Sequence, residues 1–482
     1  MKTHLLPLLL AIAAPAIAAT DFQTFQSADV VLGQPDFTTT AATSGQPNRF
    51  SSSYSVAADP TTGKVFVADS ANNRVLRFSS TAAAQSGANP EAVFGQLNFT
   101  TSTANQGGAV SASTLDFPIG VSVDSTGRLW VADYGNERVL GFYLASYLSN
   151  DPPADIVVGQ ANFTSSVTAV TQTGLNSPAF ATVGPDDTLW VADYGNNRVL
   201  RFASITTKPL VGASADGVLG QTLFTTNGTS ATASGLASPA QLFPDTTGRL
   251  WVADYNHNRV LRFDNAASLG NGAAATVALG QPDLTTITTG LSSTKMNGPA
   301  GVYFDASGNL WVAERGNKRV LRFAAAASLS TGSSANLALG QPNFTTVGAT
   351  PSAQTLAGPW NIAAGANGDL LVGDLDASRV LRFSPITTPG ATPHPRVVVP
   401  GPKVYSTTAA RALLRGRASD AGGTLSRVQV KVGHRPYANA TGRATWRFFA
   451  NLAPGRNVIF VRAVDASGAM SSAVRLTITR TP

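Results

Sequence analysis

The chain has 482 residues, 43% of them hydrophobic and 13% charged, with a formal net charge of +7 and no cysteine. The missing cysteines exclude disulfides, thiolate metal sites, a lipid-bearing cysteine and cysteine nucleophiles together. The charge is divided unevenly: residues 396–482 hold 12 Arg and 2 Lys against Asp420 and Asp465, net +12, while the remainder holds 20 basic and 25 acidic residues, net −5.

Residues 1–19 read as a secretory signal peptide. Lys2 supplies the positive start, LLPLLLAIAA the apolar core, and Ala16-Ile17-Ala18 a small-x-small cleavage site. The apolar run falls short of the roughly 20 residues that span a bilayer. No other stretch approaches that length, so no membrane span is expected after cleavage.

From residue 28 the sequence repeats. The arginine that opens an RVL triplet recurs at Arg74, Arg138, Arg198, Arg259, Arg319 and Arg379, a period of roughly 60 residues. A glutamine in a Gly-Gln pair keeps step at Gln34, Gln96, Gln160, Gln221, Gln281 and Gln341. Within one unit, GVYFD, NLWVAE, KRVLRF and NLALG read as four short strands. ASGN is a turn in which Gly308 can take positive φ. A unit of this length suits a four-stranded propeller blade. The first piece, ADVVLGQPDF (28–37), is a fourth strand, and the last, SRVLRF (378–383), is a third. The start of the chain therefore supplies what the final unit lacks. Pairing the two would close a ring and remove its open edges.

Units such as PIGVSVDSTGRLWVADYGNERVLGF (118–142) resemble NHL repeats. Their marks are Pro-x-Gly, an Asp-x-x-Gly turn, LWVAD and Asn-x-Arg-Val, recurring over roughly 28–383. The resemblance implies an all-β, six-bladed propeller closed by its N-terminal strand. It does not imply one activity, because the family includes binding modules, lyases and sensor ectodomains.

The expected domains are a signal peptide (1–19), the propeller (20–383), a Pro-rich linker (384–395) and a basic β-sandwich (396–482). In the last, SRVQVKV, ATWRFFA, NVIFVRAVD and SAVRLTIT read as strands. The run from Trp446 through LAPGRNVIFVRAVDASG resembles bacterial extracellular immunoglobulin-like domains, without the paired cysteines of antibody domains.

Each unit sets an acid five residues before its arginine, from Asp69/Arg74 to Asp374/Arg379, with Glu314/Arg319 in the fifth. A ring of carboxylates around a pore is one reading. Cross-strand ion pairs pinning each hairpin is the better one, because every acid brings its own neutralising partner. Likewise Phe66, Trp130, Trp190, Trp251 and Trp311 read as packing between blades rather than a ligand stack. The Gly-Gln runs lack the lysine and glycine spacing of a P-loop and read as shared turns.

The turns between second and third strands share a rim with the long loops that enter each unit. Tyr134, Tyr194, Tyr255, His257 and Arg315 lie in those turns, and Trp360 begins the innermost strand of the last unit. These six are the candidate binding surface, suited to a protein, peptide or glycan. His257 is the sole histidine between 28 and 383, so a multi-histidine zinc site cannot be built there. The channel-mouth positions Ser55, Gly120, Phe180, Gln241, Gly301 and Asn361 include no carboxylate. No catalytic residue, metal ligand or cofactor is assigned; calcium, which leaves little trace in a sequence, stays open.

The expectation is a secreted, non-catalytic binding or scaffold protein whose basic domain either contacts anionic envelope or matrix polymers or simply presents a solvated face. Nucleic acid is disfavoured by export and by the net-negative repeats. The alternative is a metal-dependent propeller lyase or hydrolase, as the resemblance allows.

Overall fold

The computed structural model describes residues 20–482 except 81–84, 349, 366–367, 388–395, 400–402, 420–424, 434, 466–469, 472 and 482. The expected leader at 1–19 and most of the expected linker, 388–395, therefore lie outside the described residues. The chain divides into two compact units, Phe22–Ser384 and one that holds Pro385–Pro482.

The first unit is all-β: six four-stranded antiparallel sheets, an arrangement consistent with a propeller. The second sheet is typical, with strands Pro118–Val123, Leu129–Asp133, Arg138–Phe142 and Ile156–Val158 in that order. In the sixth, Pro359–Ala364, Leu370–Asp374 and Arg379–Phe383 are completed by Val30–Leu32 from the start of the chain. The register sets Val30 against Arg382, Val31 against Leu381 and Leu32 against Val380. First strands of successive sheets are neighbours, and that of the sixth neighbours that of the first.

The repeated motif is explained by where one guanidinium reaches. Arg138 Nε donates to Asp133 Oδ2 at 2.8 Å, Nη1 to the Phe163 carbonyl at 2.6 Å, and Nη2 to the Ser111 and Thr114 carbonyls at 2.9 and 2.8 Å. Asp133 also accepts from Asn136 Nδ2 and the Asp116 amide. The pair faces across the hairpin register and is fully buried. All six acid–arginine pairs share this burial and geometry, so they are structural ties rather than a pore lining. Five donors in a rigid fork let one arginine satisfy the entering loop, the hairpin and the Gly-Gln turn at once. The glutamine of that turn does similar work: Gln96 Nε2 donates to the Asn73 and Thr103 carbonyls.

Between sheets the core is built by handing an aromatic to the next sheet. Phe66 packs with Leu129 and Val131, Trp130 with Leu189 and Val191, and Trp190 with Leu250 and Val252. Trp251 meets Leu310 and Val312, and Trp311 meets Leu370 and Val372. In the sixth sheet Leu371 takes the aromatic's place and packs with Val65 and Val67 of the first. Three of the indole N–H groups have acid partners: Trp130, Trp251 and Trp311 donate to Asp124, Asp245 and Asp305 at 3.1, 3.3 and 2.8 Å.

The second unit is a pair of sheets over one core. One holds Arg396–Val398, Arg411–Ser419, Thr445–Asn451 and Thr441–Gly442. The other holds Val404–Thr407, Val474–Arg480, Gly455–Asp465, Leu425–Val432 and Ala438–Asn439. Trp446, Leu414, Val430, Val461 and Ile478 meet between them. Among the described residues no helix is long and apolar enough to cross a membrane.

Candidate functional site

Equivalent positions at or just before the first strand of each sheet are Tyr54, Ile119, Ala179, Ala240, Ala300 and Trp360. The residue two places earlier sits at positive φ in most units, as at Ser52, Phe117, Ser177, Ser238 and Gly298. Its amide is held by the preceding unit. Asn73 Oδ1 accepts from the Phe117 amide at 2.8 Å, Asn258 Oδ1 from that of Gly298 at 3.0 Å, and Ser378 Oγ of the sixth sheet from that of Ser52 of the first. These bonds fix how each inner strand enters and where its first side chains point.

Tyr54, Phe117, Ile119, Tyr134, Ala179, Tyr194, Tyr255, Arg315 and Trp360 consequently line one pocket of about 170 Å³. The rings run edge to face from Tyr134 to Phe117 (6.2 Å between centroids), to Tyr54 (5.7 Å) and to Trp360 (5.1 Å). Tyr255 leans on the other side of Trp360 at 5.1 Å. Gly298 lies under Tyr255: a Cβ there would be 3.1 Å from the ring and would crowd it. Arg315 sits 5.7 Å over the Trp360 ring and is paired with Asp376, Nη2 to Oδ1 at 2.9 Å. Gly358 leaves the room that the Asp376 carboxylate fills. Burial lowers the Arg315 pKa, but the bond to Asp376 and a lesser one to the Tyr255 hydroxyl more than offset it, so the net shift is upward. Burial pushes the Tyr54 and Tyr194 hydroxyls above their ordinary value. Tyr54 and Tyr194 are therefore neutral hydrogen-bonding groups, and the site offers aromatic faces, hydroxyls and one ion pair.

Five of the six candidate residues, Tyr134, Tyr194, Tyr255, Arg315 and Trp360, thus meet in one place. Two expectations need correction. Trp360 is not an exposed rim residue: it is 7% exposed and belongs to the core under the pocket. His257 is not on the binding surface. It is 5% exposed and its Nδ1 lies 3.0 Å from Asp254 Oδ2. There it replaces the asparagine that makes the same contact at Asn136 and Asn196. A histidine read as a lone turn residue is a stand-in inside the buried tie.

The channel-mouth positions also differ from expectation, because no mouth opens at them. Ser55, Gly120, Phe180, Gln241 and Asn361 surround a space too small for water. Gln241 Oε1 accepts from the Val302 and Ile362 amides, and Asn361 Oδ1 from the Val56 amide. Gly120 and Gly301 allow the close approach: a Cβ on either would fall within 3 Å of a neighbouring carbonyl. The centre is a packed floor beneath the aromatic pocket. Among the described residues no group of three His, Cys, Asp or Glu could hold a metal ion.

Sequence reasoning missed Tyr54, Phe117 and Asp376. Tyr54 was within reach, since Ser53-Tyr54-Ser55 aligns with Pro359-Trp360-Asn361 in the repeat. Asp376 lies in the turn equivalent to the one that carries Arg315.

The NHL-repeat family model matches residues 115–142, 175–202 and 296–323. Three segments of the chain match the NHL repeat. Each matched NHL segment runs from the end of an entering loop to the third strand, so it contains the acid–arginine tie. No curated protein matches the chain. Among solved structures, a streptogramin B lyase is 13% identical with a TM-score of 0.41, covering 70% of this chain and 94% of its own. A gluconolactonase from Xanthomonas campestris is 16% identical with a TM-score of 0.40, covering 78% and 99%. The extracellular domain of a hybrid two-component system from B. thetaiotaomicron is 13% identical with a TM-score of 0.40, covering 90% and 57%. Likeness of this degree does not extend to activity.

Proposed function

We propose that the chain is a secreted, non-catalytic recognition protein that captures one residue of a peptide or glycan in the aromatic pocket. In this reading the six sheets are the blades of a closed six-bladed propeller. The handing of Leu371 to Val65 and Val67 and the pairing of Val31 with Leu381 support it. The leader within 1–19 is removed, and the basic C-terminal unit, read as an immunoglobulin-like sandwich, contacts anionic envelope or matrix polymers.

The observation that carries the binding reading is the lining itself. Five aromatic rings from the first, second, third and fourth sheets, with Trp360 of the sixth, surround a volume of about 170 Å³. Liquid water occupies about 30 Å³ per molecule, so the pocket holds a side chain or a single sugar ring rather than an extended chain. Aromatic faces with neutral hydroxyls bind such groups by stacking and hydrogen bonding. The one charged pair, Arg315–Asp376, is already satisfied and gives orientation rather than acid–base chemistry.

The test is a glycan array and a peptide library screened with the wild type and with Tyr134→Ala/Tyr194→Ala. Both tyrosines are half-buried and line the pocket, so their loss should abolish the hits while the thermal midpoint stays put. Hits that survive the double variant would place recognition elsewhere. Stoichiometric calcium or zinc in the purified protein, with turnover of a lactone or ester, would replace this reading by a metal-dependent one.

A further inference from the structure

We infer that one face of the C-terminal unit docks on an anionic lipid surface. The inference rests on the reading above that this basic unit contacts anionic material, and it names the surface and the chemistry. In the strand Arg411–Ser419 alternate residues are buried and exposed, so Ala412 and Leu414 enter the core while Arg411, Leu413, Arg415 and Arg417 face outward. The neighbouring strand Thr445–Asn451 turns Arg447 and Phe449 to the same side. The register sets Leu413 opposite Phe449 and Arg415 opposite Arg447. The face therefore shows an apolar pair, 49% and 52% exposed, between Arg411 on one side and three arginines on the other. The Arg411 guanidinium lies 4.9 Å from the Phe449 ring centre.

Two features set this face apart from an ordinary solvated one. Like charges directly opposite each other destabilise a strand pair, yet Arg415 and Arg447 are placed so, with no ion pair to an acid among the described residues. The segment offers few acids to relieve them, since Asp420 and Asp465 are the only ones between 396 and 482. A large aliphatic and an aromatic side chain also face water in the midst of the charge. A soluble polyanion would satisfy the arginines and leave Leu413 and Phe449 exposed. An anionic lipid interface satisfies both, with guanidinium forks on headgroup phosphates and the apolar tips at the acyl boundary.

The experiment is co-sedimentation of the chain from Thr20 onward with phosphatidylglycerol/phosphatidylcholine vesicles and with phosphatidylcholine alone, alongside retention on immobilised alginate. Binding is expected to the anionic vesicles only. Arg415→Gln/Arg447→Gln should lower the partition coefficient roughly thirtyfold at low salt. Leu413→Ser/Phe449→Ser should lower it by a factor that persists at high salt, where the arginine effect has collapsed. These side chains face solvent, so thermal midpoints should hold. If either double variant unfolds, Arg411→Gln/Arg417→Gln is read in its place. Retention on alginate without vesicle binding would overturn lipid docking and leave the broader anionic-polymer reading standing. No binding to either would overturn both.

Discussion

At the scale of the residue, the acid–arginine tie decides most of what the repeat conserves in its own six copies. Desolvation pushes the carboxyls of Asp69, Asp133 and Asp193 upward, and the arginine beside each pulls the other way. Removing one partner leaves the other charged and buried. Arg138→Met is therefore expected to cost about 3–5 kcal/mol, whereas Lys208→Ala, which breaks the partly exposed pair with Asp216, should cost about 1 kcal/mol or less. Urea unfolding of the two variants checks this, and equal losses would mean that the buried pair is dispensable. His257→Asn should be neutral within about 1 kcal/mol, because it restores the donor used in other copies, while His257→Leu should cost about 1–3 kcal/mol. Asp36 gives a pH signature. Its exposed carboxylate accepts from Thr38 and Thr39, chiefly the Thr38 hydroxyl, and these bonds lower its pKa from 3.8 to about 2. A depressed folded-state value means that the turn's contribution is present above the unfolded pKa and is lost as pH falls through about 4 to 2. NMR titration of Asp36 should show the low midpoint; an ordinary carboxylate midpoint would contradict the turn geometry.

At the scale of the element, the three-residue strand Val30–Leu32 has the largest consequence for its length. Val31 is fully buried, Gln34 donates to the Ser378 carbonyl, and Arg379 donates to the Phe37 carbonyl. Deleting residues 20–40 removes all three and bares the edge of Arg379–Phe383. An unpaired edge templates association. The shortened chain should therefore self-associate on size-exclusion chromatography and melt at lower temperature; a monomer with an unchanged midpoint would show that the strand is an accessory. The hairpins were legible in the sequence because a turn of fixed length and β-branched residues on both sides act locally. The strand Arg411–Ser419 was not, since three of its four inward residues, Ala412, Gly416 and Ala418, carry little β preference. It is held in place by pairing with Thr445–Asn451, more than 25 residues away.

At the scale of the whole molecule, the two compact units have separate cores. Trp446 is buried in the core of the second unit. Trp446→Ala should lower one calorimetric transition by the equivalent of about 3–5 kcal/mol and leave another in place. A single transition displaced as a whole would show that the units unfold together. Trp360 carries a warning of the same kind. Because it belongs to the core, Trp360→Ala would lose stability along with any ligand, and Trp360→Phe is the cleaner probe of the pocket.

The sequence by itself determined the repeat, its strand order, the pairing of each acid with the arginine five residues on, and the match between the first strand and the last sheet. All of these follow from contacts close in the chain or from a pattern copied six times. Only the tertiary structure decided that Tyr54, Phe117, Tyr134, Tyr194, Tyr255, Arg315 and Trp360 share one pocket, that His257 is hidden behind Asp254, and that the centre is a packed floor. Those residues come from six sheets spread over some 300 residues of chain. Whether equivalent positions of a repeat meet at a common axis depends on how the sheets pack in turn, and no local spacing encodes that.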